Sequence, residues 1–151
     1  MHTNTTTTTV EAAQEAPASA DRRLLVAGAK ATGIGVGAVM TTYLVALAVG
    51  SDLLVASPDG TALEVTSGNI FGMTVLGGTM AVALAWAFGR WSARPRATFL
   101  ATTVVGVVAY AAVPFAAAES VATALWLNVF HLAVAVPVLA ILARMLPRER
   151  S

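Results

Sequence analysis

Residues 69–89, NIFGMTVLGGTMAVALAWAFG, carry no charge and run straight into Arg90-Trp91-Ser92-Ala93-Arg94-Pro95-Arg96; residues 97–117, ATFLATTVVGVVAYAAVPFAA, leave that link and are again uncharged. Each apolar segment is 21 residues long, enough for a helix rising about 1.5 Å per residue to cross a hydrocarbon core of about 30 Å. Two such segments joined by three arginines in a tight link read as a membrane hairpin. Trp91 suits the interfacial aromatic belt, and Pro95 suits the first turn of a helix.

The same reading extends in both directions. Apolar runs at 24–49 and 121–143 flank the hairpin, which makes four spans. All nine basic residues then fall on one side. Arg22, Arg23 and Lys30 open the first span, Arg90, Arg94 and Arg96 fill the second link, and Arg144, Arg148 and Arg150 follow the fourth span. The links 51–68 and 118–120 hold Asp52, Asp59, Glu64 and Glu119 without a Lys or Arg. Cytoplasmic loops carry the excess of Lys and Arg. The expectation is an all-α, up-down four-helix transmembrane bundle of the plasma (inner) membrane, with both termini cytoplasmic and 51–68 outside. Composition agrees: 57% of the residues are hydrophobic and 11% charged, against about 25% charged in a soluble domain.

Residues 1–21 are Thr-rich, then Ala- and Glu-rich, with Pro17 and no apolar period. Such a segment buries too little surface to offset chain entropy and reads as a disordered tail ahead of a membrane domain at 22–151. Arg22-Arg23 before an apolar run also imitates an export signal, with Ala46-Leu47-Ala48 as a cleavage site. The run from Leu24 spans 26 residues, longer than the roughly 7–15 of a signal core, so it reads as an uncleaved span. Lys30 lies inside that run and can snorkel back to the headgroups. Ser57-Pro58-Asp59-Gly60 is a turn between the β-prone runs 53–55 and 63–66, which leaves an outer hairpin and an irregular loop both open. Ser67 or Asn69 can cap the second span, and Glu119 suits the start of the fourth.

The chain has no cysteine, which removes disulfides and thiol chemistry. No catalytic triad, carboxylate dyad, metal motif or basic nucleic-acid patch appears, so the expectation is no enzyme, no cofactor, no metal and no nucleic-acid partner. Gly33, Gly35 and Gly37 lack the strand-loop-helix context of a phosphate loop. Ala29, Gly33, Gly37 and Thr41 recur every four residues, and small residues at that spacing let helices approach closely. Gly33 and Gly37 are therefore the expected packing positions, with Gly77 and Gly78 of the second span and Gly106 of the third as candidate partners.

His131 is the ionisable residue well inside a span, about 15 Å along the fourth helix. Asn128 precedes it by three residues on the same face. Tyr110 falls at a similar depth, and Thr42, Tyr43 and Thr74 also lie in the outer half. The group reads either as interhelical glue or as a ligand or proton site around His131, Asn128 and Tyr110. A lone His does not make a zinc site.

The polar tail, the Gly-rich first span and the final span Trp126-Leu127-Asn128-Val129-Phe130-His131-Leu132 resemble a group of small, uncharacterised actinobacterial four-helix membrane proteins. The resemblance covers about 24–146 and implies architecture without an assigned activity. Small multidrug transporters also have four spans, but they centre on a Glu in the first helix, which this span lacks. The function expected is a non-enzymatic structural or accessory membrane subunit. Its partners would be lipid, a second copy or another membrane protein. The alternative is a small transporter or ligand-binding protein using the site around His131.

The cysteine-free chain makes sidedness measurable. Among Ser57→Cys, Ser92→Cys and Ser151→Cys, only the first should react with an impermeant maleimide on intact cells. Labelling of Ser92→Cys without lysis would reverse the orientation.

Overall fold

A computed structural model describes residues 6–57 and 60–149, with side chains from Ser19 onward. Seven elements follow in order: α1 (Thr6–Ala48), β1 (Leu54–Ala56), β2 (Ala62–Glu64), α2 (Ser67–Trp91), α3 (Pro95–Tyr110), α4 (Val113–Ala117) and α5 (Val121–Met145). Four segments are long and apolar enough to cross a membrane: Ser19–Ala48, Ser67–Trp91, Pro95–Ala117 and Val121–Met145. The chain is a multi-pass, all-α membrane bundle. Helical backbone reaches back to Thr6, into the segment read as a tail. Residues 1–5 and the side chains of 6–18 lie outside the described residues, and most of the tail expectation lies there with them.

The ends of the bundle are chemically distinct. Asp21 pairs with Arg90 at 2.8 Å, Arg94 with Glu149 at 3.5 Å, and the Arg96 N–H donates to the Pro147 carbonyl at 3.3 Å. These contacts gather the α1 entry, the α2–α3 link and the α5 exit at one basic end. The opposite end carries a two-stranded antiparallel hairpin, with Leu54 opposite Glu64, Val55 opposite Leu63 and Ala56 opposite Ala62. Gly60 closes its turn at φ 83°, in the left-handed region that glycine enters freely, and donates to the Ser57 carbonyl. Pro58 and Asp59 of the expected turn lie outside the described residues. Thr66 caps α2 by accepting from Asn69 N–H, in place of Ser67 or Asn69 themselves. Ser120 caps α5 by accepting from Thr123 N–H, so the cap is one residue after Glu119.

α1 is the central helix. Leu24, Gly28, Ala31, Gly35, Val39 and Ala46 form its buried seam; the first four step as a/d positions of a heptad, and Val39 and Ala46 lie one residue past that register. α2 and α5 pack along it, both antiparallel. Leu24, Ala31 and Ala85 join Phe99, Val138, Leu142, Ala143 and Leu146 in a core at the basic end. Val39, Ala46, Leu53, Ile70 and Phe130 form a second core below the hairpin, with Tyr43 edge-on to Phe130.

The closest approach uses the expected Gly78 of the second span, but not Gly33 or Gly37 of the first. A Cβ placed on Gly78 would overlap Thr32, and one on Gly28 would overlap Val82. Gly35 faces Val134 at 3.3 Å. Gly33 and Gly37 meet nothing within 4 Å and lie on the exposed side of α1. Almost every face of α1 is small, so the seam is set by the partners' bulk. Within the chain the packing positions are Gly28, Gly35 and Gly78.

The third span breaks near its hairpin end. Pro114 has no N–H to offer the Tyr110 carbonyl, so α3 stops there and α4 continues as a separate short turn. Only Pro95 and Phe99 of α3 are buried. Farther along, Val104, Val105 and Val108 are 50%, 67% and 68% exposed. α3 is thus anchored by its basic end, and most of its length presents a lateral apolar face.

Gly78→Ala should destabilise the bundle by about 1–3 kcal/mol through overpacking against Thr32. Gly33→Ala and Gly37→Ala should stay within about 0.5 kcal/mol of the parent. Reversible unfolding in mixed micelles measures all three, and equal losses at Gly33 and Gly78 would remove the assigned contact.

Candidate functional site

α5 places Asn128 and His131 three residues apart, and the end of α3 brings Tyr110 across to them. His131 and Tyr110 do meet: their rings stand edge-to-face, with centroids 4.8 Å apart and planes at 63°. His131 Nδ1 lies 2.6 Å from the Leu127 carbonyl. A carbonyl only accepts, so Nδ1 is the donor, and in the neutral ring Nε2 is left as an acceptor. Asn128 does not join them through its amide N–H, which donates to the Ala124 carbonyl of its own helix at 3.0 Å.

The surroundings are open. His131 is exposed and Tyr110 is 44% exposed. The pair therefore sits on the lateral face between α3 and α5, at mid-helix depth, and not in an internal chamber. The other polar residues of the outer half are also accounted for locally. Thr42 donates to the Ala38 carbonyl and Thr74 to the Ile70 carbonyl, each at its own i−4 position. Tyr43 packs on Phe130.

Two cavities lie at the ends of the bundle. At the hairpin end a cavity of about 420 Å³ opens between the α1 exit and the α5 start, with Asp52, Glu119, Ser120 and Thr123 in its wall. Thr123 donates to the Asp52 carbonyl at 2.7 Å, and Glu119 N–H donates to the Leu54 carbonyl. These bonds tie the hairpin to α5. At the basic end a cavity of about 700 Å³ is lined by Arg22, Arg23, Val26, Ala27, Lys30 and Met145, with Ser19 at its edge. The residues of α1 among them recur at helical spacing, so the pattern was present in the sequence. Sidedness absorbed the three cations as topology signals, and nothing local to α1 announced that Met145 of α5 would close the wall.

Arg90 is held differently. Its guanidinium bonds Asp21 and lies 4.8 Å from the Trp86 ring centre, while Trp86 meets Trp91 edge-on at 5.8 Å. Two tryptophans and a paired arginine make an interfacial anchor at the α2–α3 link.

No curated protein and no solved structure matches the chain. One family model does, across residues 19–148, which takes in all four spans, both end cavities and the His131–Tyr110 pair. By that match the chain belongs to DUF6069, a family of unknown function.

Proposed function

We propose that this protein is a non-enzymatic accessory or structural subunit of the plasma membrane, associating laterally through its α3–α5 face. The observation that carries the reading is the exposed His131–Tyr110 pair at mid-helix depth. Polar side chains at that depth rarely face lipid; they face a bundle interior, a cavity or another helix. Neither end cavity contains the pair. A partner helix that donates to Nε2 would satisfy it, and the uncovered length of α3 beside it offers the apolar area for docking. The partner is a second copy or another membrane protein. The basic end faces the cytoplasm in this reading, with both termini there, because the excess of Lys and Arg marks the cytoplasmic side.

A second reading, a small transporter or ligand-binding membrane protein, draws on the same contact: two of its three expected residues do meet. It requires Nε2 to take a proton or ligand rather than a partner helix.

One pair of variants separates the two. Under lateral association, His131→Gln retains assembly because an amide still accepts. His131→Leu weakens assembly by about 0.6–2 kcal/mol, or roughly 3- to 30-fold. Val108→Cys, on the exposed side of α3, should form a disulfide-linked adduct when a Cys is present in the partner: a dimer for a second copy, a mixed species otherwise. Native mass spectrometry from nanodiscs, with non-reducing gels of membranes, reads both. A single chain with no adduct and no sensitivity to His131→Leu would overturn the association. Under the ligand reading, His131→Gln abolishes uptake or binding and leaves assembly unchanged.

A further inference from the structure

We propose that the cavity at the basic end is a binding site for one anionic phospholipid, held through its phosphate. This site is separate from the α3–α5 face and does not depend on a lateral partner. Arg22, Arg23, Val26, Ala27 and Lys30 occupy one face of α1 at i, i+3, i+4 and i+7 steps, and Met145 of α5 completes the wall. The arrangement is a cationic rim at both ends of an apolar floor. Its volume of about 700 Å³ falls among ordinary ligand sites of about 300–1,000 Å³.

The cations are available. Among the described residues, Arg22 and Lys30 make no hydrogen bond or ion pair, and Arg23 reaches only Ser19, at 3.4 Å. Asp21 is adjacent in sequence, but its carboxylate is engaged by Arg90 at 2.8 Å. Among the described residues, no acidic side chain lines the cavity. Arginine and lysine side by side recognise phosphate well, the first through a planar fork and the second as a point charge.

Depth selects a lipid over a free anion. From Lys30 to the end of α1 at Ala48 is 18 residues, about 27 Å of helix, close to a hydrocarbon thickness of about 30 Å. Lys30 therefore lies at the hydrocarbon boundary, with its ammonium reaching into the headgroup layer. Arg22 lies about 12 Å farther out. A phosphodiester between them would rest its headgroup on Val26, Ala27 and Met145 and send its acyl chains inward past Lys30. Inorganic phosphate would leave that apolar floor unused. Basic pockets between spans are a known form of headgroup recognition.

The test uses the purified full chain in neutral mixed micelles, read by native mass spectrometry. Dioleoylphosphatidylglycerol, dioleoylphosphatidylcholine and inorganic phosphate are titrated separately. The expected result is one retained phosphatidylglycerol, with phosphatidylcholine and inorganic phosphate not retained. Lys30→Gln should weaken retention about fivefold, and Arg22→Gln/Arg23→Gln/Lys30→Gln roughly 100-fold. Arg148→Gln removes one charge from the same end outside the cavity and should change nothing. Where the neutral triple variant does not purify, Lys30→Gln is set against the charge-preserving Lys30→Arg, which should hold the lipid. Equal retention of both lipids, an effect of Arg148→Gln equal to that of Lys30→Gln, or unchanged retention in Lys30→Gln would overturn the site. Retention of inorganic phosphate in place of the lipid would overturn the lipid as its source.

Discussion

A threonine side chain occupies the space that a Cβ would fill at Gly78, and a valine does the same at Gly28. These two notches bring α1 and α2 together more closely than ordinary side chains allow. Lipid gives helices no hydrophobic drive toward one another, because the solvent is as apolar as the helix surface. Association rests on dispersion across close contacts, and dispersion falls off steeply with a gap of even half an ångström. The rest of the bundle follows from that contact. With α2 seated on one side of the seam, α5 takes the other at Gly35, and Phe99 of α3 closes the basic-end core between them.

The backbone obeys the same solvent. Polar groups at membrane depth must find partners within the protein, and the threonines show how: Thr41, Thr42, Thr74, Thr79 and Thr103 each donate to the carbonyl four residues earlier. Their hydroxyls are thereby used up inside single helices and build no internal polar chamber. Pro114 works in the other direction. It ends α3 at Tyr110, whose ring meets His131 on the lateral surface.

Span number and the gathering of basic residues at one end were legible because each depends on residue type at one place: uncharged runs in the spans, arginine in a link. The packing face of α1 was not. Ala27, Gly28, Ala29, Ala31, Gly33, Gly35, Gly37 and Ala38 put small residues all around the helix, so an i, i+4 stripe through Gly33 and Gly37 looks as good as the true seam. A heptad step from Leu24 through Gly28, Ala31 and Gly35 marks the seam, but choosing it needs knowledge of what Val82, Thr32 and Val134 present. The candidate site was half legible for a similar reason. The i, i+3 spacing of Asn128 and His131 fixed a shared face; only the position of α3 decided that this face meets Tyr110 while the Asn128 amide turns back to its own helix.

The ends of the bundle solve the same closure problem with opposite chemistry. At the hairpin end the loops are stitched by main-chain bonds: Val65 to Leu53, Glu119 to Leu54, and the bridge of Val55 with Ala118, with Thr123 bonded to Asp52. Such bonds are satisfied pairwise and leave the carboxylates of Asp52 and Glu119 with no structural task there. At the basic end closure is ionic. Its described acids, Asp21 and Glu149, are each committed to one arginine of the α2–α3 link. Exposed ion pairs of this kind contribute about 1 kcal/mol or less each, so they orient the link more than they stabilise it. Their larger consequence is arithmetic. Among the described residues, with two acids matched to Arg90 and Arg94, none is left at this end to pair with Arg22, Arg23 or Lys30 of α1.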